Sequence, residues 1–214
     1  MGIGFRYNLI RLLVRGVFAL FARIEVEGLE NVPPSDPFIL VINHVHFLDP
    51  ALVLAAFPRR ITVLIASEWK RWPIGILPTA LDAIYVDRGQ VDRRALRQCL
   101  RVLREGGVLG MSPEGTRSHS PGMQRARPGV AYIAYKADVP VVPVGIVGMY
   151  QIFRAIKRLR RTRVRVAIGS PFRLQPMDLS GPHRHEELKR ASDEIMHRLA
   201  RLLPPRYRGV YQID

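Results

Sequence analysis

Cysteine is almost absent from this chain of 214 residues, since Cys99 is the only one. A single thiol excludes an intrachain disulfide framework and removes the case for a metal site built from thiolates. Long apolar runs are also missing near the N-terminus, where the longest uncharged stretch, Gly16 to Ala22, has seven residues. A helix that crosses a bilayer needs roughly 20. Aromatic residues form only 8% of the chain, which argues against aromatic-flanked grooves for nucleic acid.

Acidic residues are scarce as well, with 18 against 33 lysines and arginines, giving a net charge of +15. Only four of the basic residues are lysine. Arginine binds phosphate through paired hydrogen bonds and is weakly hydrated, so anionic lipid headgroups and nucleic acid are both candidate partners. A bias in codon usage would explain the excess of arginine over lysine but not the surplus of positive charge. The composition therefore predicts a negatively charged partner and leaves its class open.

Short runs rich in valine and isoleucine alternate with amphipathic stretches along the chain. This alternation predicts one α/β domain with a mixed, largely buried sheet flanked by helices. The predicted strands are residues 24–28, 38–43, 61–66, 83–87, 107–111, 139–147 and 163–169. The predicted helices are residues 50–57, 91–105, 129–138 and 185–203.

The N-terminal segment, residues 5–24, is an apolar stretch interrupted by four arginines at positions 6, 11, 15 and 23. Such a helix can lie in the membrane interface while its arginines reach the phosphates. The alternative is a helix packed on its own domain. A signal peptide is less favoured because the positive charges are spread through the segment. We therefore expect a membrane-interface helical element at 1–24 and an α/β domain at 25–214.

The stretch NHVHFLDP, residues 43–50, places polar groups between two apolar runs. A carboxylate at Asp49 could bind one nitrogen of His44, fix its tautomer and leave the other nitrogen to take a proton from a substrate hydroxyl. An aspartate before a proline is also a favourable helix start, in which the carboxylate caps the helix. Both interpretations of Asp49 are open at this point.

His46 would share a face with His44 on an extended segment, which is the spacing of a two-histidine metal site. The other histidines stand singly or in a polar late region, at positions 119, 183, 185 and 197. No third ligand accompanies the pair, so we expect no metal. His46 is then more simply a turn residue or a support for its neighbours.

Two further polar stretches directly follow predicted strands. In SPEGTRS, residues 112–118, glycine permits close approach of a ligand to backbone amides, a hydroxyl can donate, and an arginine can bind phosphate. In IYVDRG, residues 84–89, Arg88 comes just after a strand. Ligands of open α/β sheets bind at strand ends, so these stretches could share one site. An ordinary polar turn is the alternative for SPEGTRS.

Four motifs in this order make the chain resemble the glycerolipid acyltransferase family, which includes lysophosphatidate acyltransferases. The motifs are N-H-x-x-x-x-D, an apolar run ending in arginine, P-E-G-T-R-S, and V-P-V-x-P-V. They match Asn43, His44 and Asp49; Arg88; Pro113–Ser118; and Val139–Val144. One departure is Ser112, which stands where the family usually has phenylalanine.

The resemblance implies an acyltransferase that needs no cofactor. His44 would be the general base, supported by Asp49, and the fatty acyl group would move from acyl-CoA or acyl-carrier protein to the free hydroxyl of a lysophosphatidate-like acceptor, giving phosphatidate. The same resemblance implies that Arg88 and Arg117 bind the acceptor's phosphate. It also implies that Glu114, Gly115 and Thr116 shape the pocket for this phosphate.

Other acceptors would use the same base, namely glycerol-3-phosphate, another lysophospholipid or a lipid-linked glycan. A basic nucleic-acid-binding or membrane-binding protein without catalysis is the alternative from another class, although no nucleic acid is expected. The arginines at 125 and 127 and the basic segment 156–165 predict a docking surface for an anionic membrane or for acyl-carrier protein, or else a solvated face. We expect a peripheral or monotopic protein at the cytoplasmic face of the cell membrane.

Overall fold

The computed structural model describes residues 3–68, 83–87, 92–118, 120–158 and 160–213. Within these ranges seven strands form one sheet with helices on both faces, which confirms the predicted α/β class. The strands are β1 Ala22–Glu27, β2 Phe38–Ile42, β3 Ile61–Ala66, β4 Ile84–Val86, β5 Val108–Met111, β6 Val141–Val147 and β7 Thr162–Ile168. Each lies where a strand was predicted, with ends shifted by at most two residues.

The described helices are α1 Ile3–Phe21, α2 Asp49–Ala56, α3 Arg93–Arg104, α4 Gly129–Ala137, α5 Ile152–Lys157, α6 Arg184–Ala200 and α7 Pro205–Arg208. Five of them fall near predicted positions, whereas the short helices α5 and α7 were not predicted. Single turns of 3-10 helix occur at Leu29–Asn31 and Met149–Gln151. Helix α1 ends at Phe21, before the expected boundary at residue 24, because the backbone from Ala22 onward pairs with β7.

The strand order across the sheet is β1-β7-β6-β2-β5-β3-β4. All neighbouring strands are parallel except β6 and β7, which are antiparallel. Strands β2, β3, β4, β5 and β6 therefore end at one edge, which we call the carboxyl edge, and β1 and β7 begin there. The ends of parallel strands are the usual place for a ligand site in such sheets.

Both faces of the sheet are covered, so successive side chains of the central strand β2 enter two different cores. Phe38, Leu40 and Ile42 join the cluster that includes residues of α1 and α2. Ile39 and Val41 join the cluster that includes residues of α3, α4 and α6. All five side chains are buried, as is typical of a parallel strand covered by helices on both sides.

Helix α1 lies against α2 and is apolar on two sides. Tyr7 and Phe18 are buried in the core that it covers. The opposite side exposes a row of large apolar side chains, of which Leu20 is 69% exposed. These side chains are Phe5, Leu9, Leu12, Leu13, Val17 and Leu20. In the part of the chain that the structure describes, no helix has the length and apolarity to cross a membrane.

Candidate active site

The site begins where β2 ends, at Asn43. The fully buried Asn43 amide donates to the carbonyl of Ile146 in β6 at 2.9 Å and accepts from the N–H of the same residue at 2.7 Å. A side-chain amide carries one donor group and one acceptor, as a peptide unit does. The side chain of Asn43 therefore extends the pairing of β2 with β6, and the backbone leaves the sheet immediately before His44.

His44 and Asp49 form a close pair at this edge, with 2.9 Å between Nδ1 and Oδ2. The same carboxylate oxygen accepts the backbone N–H groups of Val45 and His46, at 2.9 and 2.8 Å. Asp49 has no exposed surface, whereas the His44 side chain is 19% exposed. An ionised carboxylate only accepts, so Nδ1 carries the proton and Nε2 is left as a basic nitrogen.

The interpretation of Asp49 as a helix cap is wrong. Leu48 occupies the capping position of α2, and no side-chain hydrogen bond is made there. The Asp49 carboxylate instead binds N–H groups of residues that precede it, because the loop from His44 to Leu48 folds back over the helix start. Asp49 thus fixes both the loop and the imidazole.

Glu114 ties the loop after β5 to His44. Its Oε1 accepts the backbone N–H of His44 at 3.1 Å, and its Oε2 accepts that of Gln124 at 2.9 Å. The N–H of Ser118 donates in turn to the His44 carbonyl at 2.8 Å. Burial raises the pKa of Glu114, although the hydrogen bonds from the backbone N–H groups of Gln124 and His44 lower it. One carboxylate oxygen therefore joins the two loops, and the other stabilises the loop after β5.

Gly115 has a φ of +66°, in the left-handed region that favours glycine. A Cβ at this position would lie 2.6 Å from Cδ of Arg127, so the glycine also makes room for the stem of that arginine. Thr116 and Arg117 follow and are half-buried. Within the described residues neither side chain has a hydrogen-bond or ion-pair partner.

His46, Phe47 and Phe153 form what we call the aromatic cluster. The His46 ring centroid lies 4.8 Å from that of Phe47 and 4.9 Å from that of Phe153. Its Nδ1 accepts the N–H of Leu48 at 3.3 Å. Burial lowers the pKa of His46, the Asp49 carboxylate raises it, and the Arg117 guanidinium lowers it. The residue after Arg117 is tied to the same loop, because the N–H of Ser118 donates to the carbonyl of His44 at 2.8 Å.

The predicted site residues that the structure describes lie together at the carboxyl edge. They are His44, Asp49, Glu114, Gly115, Thr116 and Arg117. The predicted phosphate ligand Arg88 and the single histidine at 119 lie outside the described residues. Over the described ranges there is no group of three or more His, Cys, Asp or Glu side chains that could hold a metal ion.

Gln124 and Phe153 contribute to this site without any signal in the sequence. Gln124 binds Glu114 through its backbone N–H, a group that every residue type except proline offers, and its side-chain amide donates to Oγ of Ser118 at 3.1 Å. Phe153 reaches His46 from more than 100 residues away along the chain. The site thus combines a partly exposed imidazole, a buried carboxylate behind it and an arginine on the neighbouring loop. The imidazole can remove the proton of a hydroxyl group, and the arginine can bind an anionic group of the same molecule.

A family model described as acyltransferase matches residues 23–147. The chain is 33% identical over 130 residues to a chloroplastic 1-acyl-sn-glycerol-3-phosphate acyltransferase of Arabidopsis thaliana, with 56% of this chain and 35% of the relative covered. It is 30% identical over 147 residues to the human 1-acyl-sn-glycerol-3-phosphate acyltransferase alpha, with 63% and 49% covered. The alignments thus span between about a third and a half of the length of these relatives.

A solved structure is similar over most of both chains. It is the crystal structure of the 1-acyl-sn-glycerophosphate acyltransferase PlsC from Thermotoga maritima, with a TM-score of 0.67 and 29% sequence identity. The similarity covers 88% of this chain and 76% of that chain. The two proteins therefore share the same α/β fold.

Proposed function

The chain belongs to the acyltransferase family, and we propose that it moves a fatty acyl group from a thioester to the free hydroxyl of a lysophosphatidate-like acceptor, giving phosphatidate. The observation that carries the proposal is the pair of His44 and Asp49, joined at 2.9 Å and partly open to solvent at the carboxyl edge. The printed names of the Arabidopsis and human relatives support the choice of acceptor.

In the proposed reaction, Nε2 of His44 takes the proton of the acceptor hydroxyl as its oxygen attacks the thioester carbonyl. The Asp49 carboxylate stabilises the imidazolium that forms, since it is buried 2.9 Å from Nδ1. The tetrahedral intermediate then collapses, the carbon–sulfur bond breaks, and the proton on His44 passes to the thiolate of the carrier. A base positioned in this way contributes about 10²–10⁴-fold to the rate.

The acceptor's phosphate is assigned to Arg117, together with Arg88. Arg117 directly precedes Ser118, which binds the carbonyl of His44 at 2.8 Å, and its side chain has no hydrogen-bond or ion-pair partner among the described residues. Its guanidinium could therefore make paired hydrogen bonds to phosphate. Thr116 can donate a further hydrogen bond, and Gly115 permits close approach to the backbone. Glu114 supports this pocket indirectly, because both of its oxygens are bound to backbone N–H groups.

Helix α1 and the basic residues beside it form the proposed membrane-binding surface. The exposed leucines, valine and phenylalanine of α1 would enter the interface of an anionic bilayer. Arg161, in the basic segment 156–165, donates to the carbonyl of Ala22 at 3.1 Å, so this segment lies at the end of α1. Each cation near the surface adds about 1 kcal/mol toward anionic lipid. Residues 1–24 would thus be the interfacial element and 25–214 the catalytic domain, placed at the cytoplasmic face.

The test is to incubate the purified protein and anionic vesicles with acceptors and thioester donors in every combination. The acceptors are lysophosphatidate, glycerol-3-phosphate, a second lysophospholipid and a lipid-linked glycan, and the donors are acyl-CoA and acyl-carrier protein. Phosphatidate, identified by its mass, is the expected product, and the donor that supports its formation is the acyl carrier. If only another acceptor yields a product, that acceptor takes the place of lysophosphatidate in the proposed reaction. If no combination yields a product, the proposed activity is refuted.

A further inference from the structure

The aromatic cluster connects the surface of the protein to the loop that carries His44. Phe153 lies on α5 and is 48% exposed. Its ring centroid is 4.9 Å from that of His46 and 5.7 Å from that of Phe47. His46 itself is only 8% exposed and follows His44 by two residues. Three packed rings therefore connect the surface to the loop that carries the base.

Helix α5 places this exposed ring on the same face of the molecule as α1. Its residues Ile152 and Ile156 pack into the core cluster that also contains Tyr7 and Phe18 of α1. The two helices contact each other directly. Phe153 consequently belongs to the face on which α1 exposes its apolar side chains, and it lies where that face meets the carboxyl edge.

Positive charge lies close to both ends of the aromatic cluster. Arg154 and Lys157 are exposed beside Phe153 on α5, and Arg117 directly precedes Ser118, whose N–H binds the carbonyl of His44. The surroundings of His44 therefore combine an apolar surface with cations. A single-chain phospholipid has the complementary structure, an alkyl chain joined through a hydroxyl-bearing glycerol to an anionic headgroup.

We propose that the aromatic cluster binds the alkyl chain of the acceptor lipid as it passes from the bilayer surface to His44. This inference rests on the proposed function and adds the route and the residues that select a chain-bearing acceptor. With the chain against Phe47 and Phe153 and the phosphate at Arg117, the glycerol hydroxyl between them lies at the imidazole. Phe153 is then a specificity-determining residue for long-chain acceptors.

The kinetic test compares Phe153→Ala with Tyr150→Ala on two acceptors, oleoyl- and hexanoyl-lysophosphatidate. Tyr150 is similarly exposed, at 47%, and in the described structure has no ring contact with the aromatic cluster. Phe153→Ala should raise KM for the oleoyl acceptor about tenfold, the effect expected from losing the apolar contact of one ring. KM for the hexanoyl acceptor and kcat for both should change little. Phe153→Leu should restore most of the affinity, and Tyr150→Ala should resemble the wild type.

A second test measures the contact without turnover, using Phe153→Trp and lysophosphatidate with a brominated stearoyl chain. Bromine should quench the fluorescence added by the new tryptophan. The control is Leu29→Trp, at an exposed leucine on the opposite edge of the sheet, and its added fluorescence should not be quenched. Equal quenching of both variants, or none, would overturn the inference, as would an equal rise of KM for both acceptors. If the wild type acylates nothing while the quenching is selective, the proposed function fails and the chain contact stands.

Discussion

Oδ2 of Asp49 lies 2.9 Å from Nδ1 of His44 and also accepts two backbone N–H groups from the loop between them. One buried oxygen thus determines the path of the loop, the orientation of the ring and the position of its proton. The imidazole, by contrast, is partly exposed, and its one hydrogen bond among the described residues is to this carboxylate. The two residues should therefore differ in what their removal does to the fold.

Replacing His44 with alanine should abolish most of the turnover without unfolding the protein. We expect kcat to fall by about 10²–10⁴-fold, the usual contribution of a positioned base. The melting temperature and the binding to anionic vesicles should stay close to wild type, because the ring is partly exposed. Single-turnover rates with lysophosphatidate and acyl thioester provide the measurement. Wild-type turnover in a folded His44→Ala protein would exclude the proposed base.

The buried Glu114 predicts a specific dependence of stability on pH. Its raised pKa means that the folded chain holds this proton more tightly than the unfolded chain, so the stabilisation is present at low pH. It is lost as the pH rises above the usual value of 4.5 and through the raised pKa. In this pH range the free energy of unfolding should therefore fall less steeply with rising pH for Glu114→Gln than for the wild type. The two slopes should differ by at most about 1.4 kcal/mol per pH unit, the effect of one proton.

Urea unfolding at a series of pH values above 4.5 measures this difference in slope. The substitution also leaves one backbone N–H facing an amide group, so it should lower the stability at every pH by a constant amount. Glu105→Gln, at an exposed position after α3, controls for the loss of one carboxylate. Parallel curves for the wild type and Glu114→Gln would show that the Glu114 pKa is not raised in the folded protein.

Two glycines with similar backbone angles separate the effect of conformation from that of contact. Gly115 has a φ of +66° and lies against the Arg127 side chain, whereas Gly106 has a φ of +79° and open space at the position of a Cβ. Alanine at either should cost about 1–2 kcal/mol of stability because the left-handed conformation is unfavourable. Only Gly115→Ala should also raise KM for the acceptor, since it displaces Arg127 or the loop. Equal KM values for the two variants would argue against a substrate-binding role for this loop.

The exposed leucines of α1 should control binding to membranes. Replacing Leu12, Leu13 and Leu20 with glutamine should leave the fold intact, because each is at least 60% exposed. The partition coefficient onto phosphatidylglycerol vesicles should fall roughly tenfold for each leucine that enters the interface. Co-sedimentation measures the effect, and Leu29→Gln at the opposite edge of the sheet is the matched control. Unchanged binding of the triple variant would place the membrane-binding surface elsewhere.

The sequence predicted the described strands and the longer helices, but not the short helices α5 and α7 or the arrangement of the sheet, for physical reasons. A run such as FILVI is apolar at every position, and that pattern indicates a strand covered on both sides. Strand order depends on pairings between distant segments, so the antiparallel contact of β6 with β7 was not predictable from local pattern. The family resemblance named His44 and Asp49, but the helix-start rule gave Asp49 a second interpretation that ignored the folded-back loop. The partners of Asn43 and Glu114 are backbone groups, which leave no trace in residue types.

The side chain of Asn43, rather than the main chain beyond it, completes the last rung between β2 and β6. The loop that follows is then held by Glu114, Ser118 and Asp49 rather than by pairing between strands. Substitutions at His46 or Phe47 would remodel the entrance to the site while the register of the sheet stays the same. A single framework of this kind can thus accept different residues around its histidine, without redesign of the sheet that supports it.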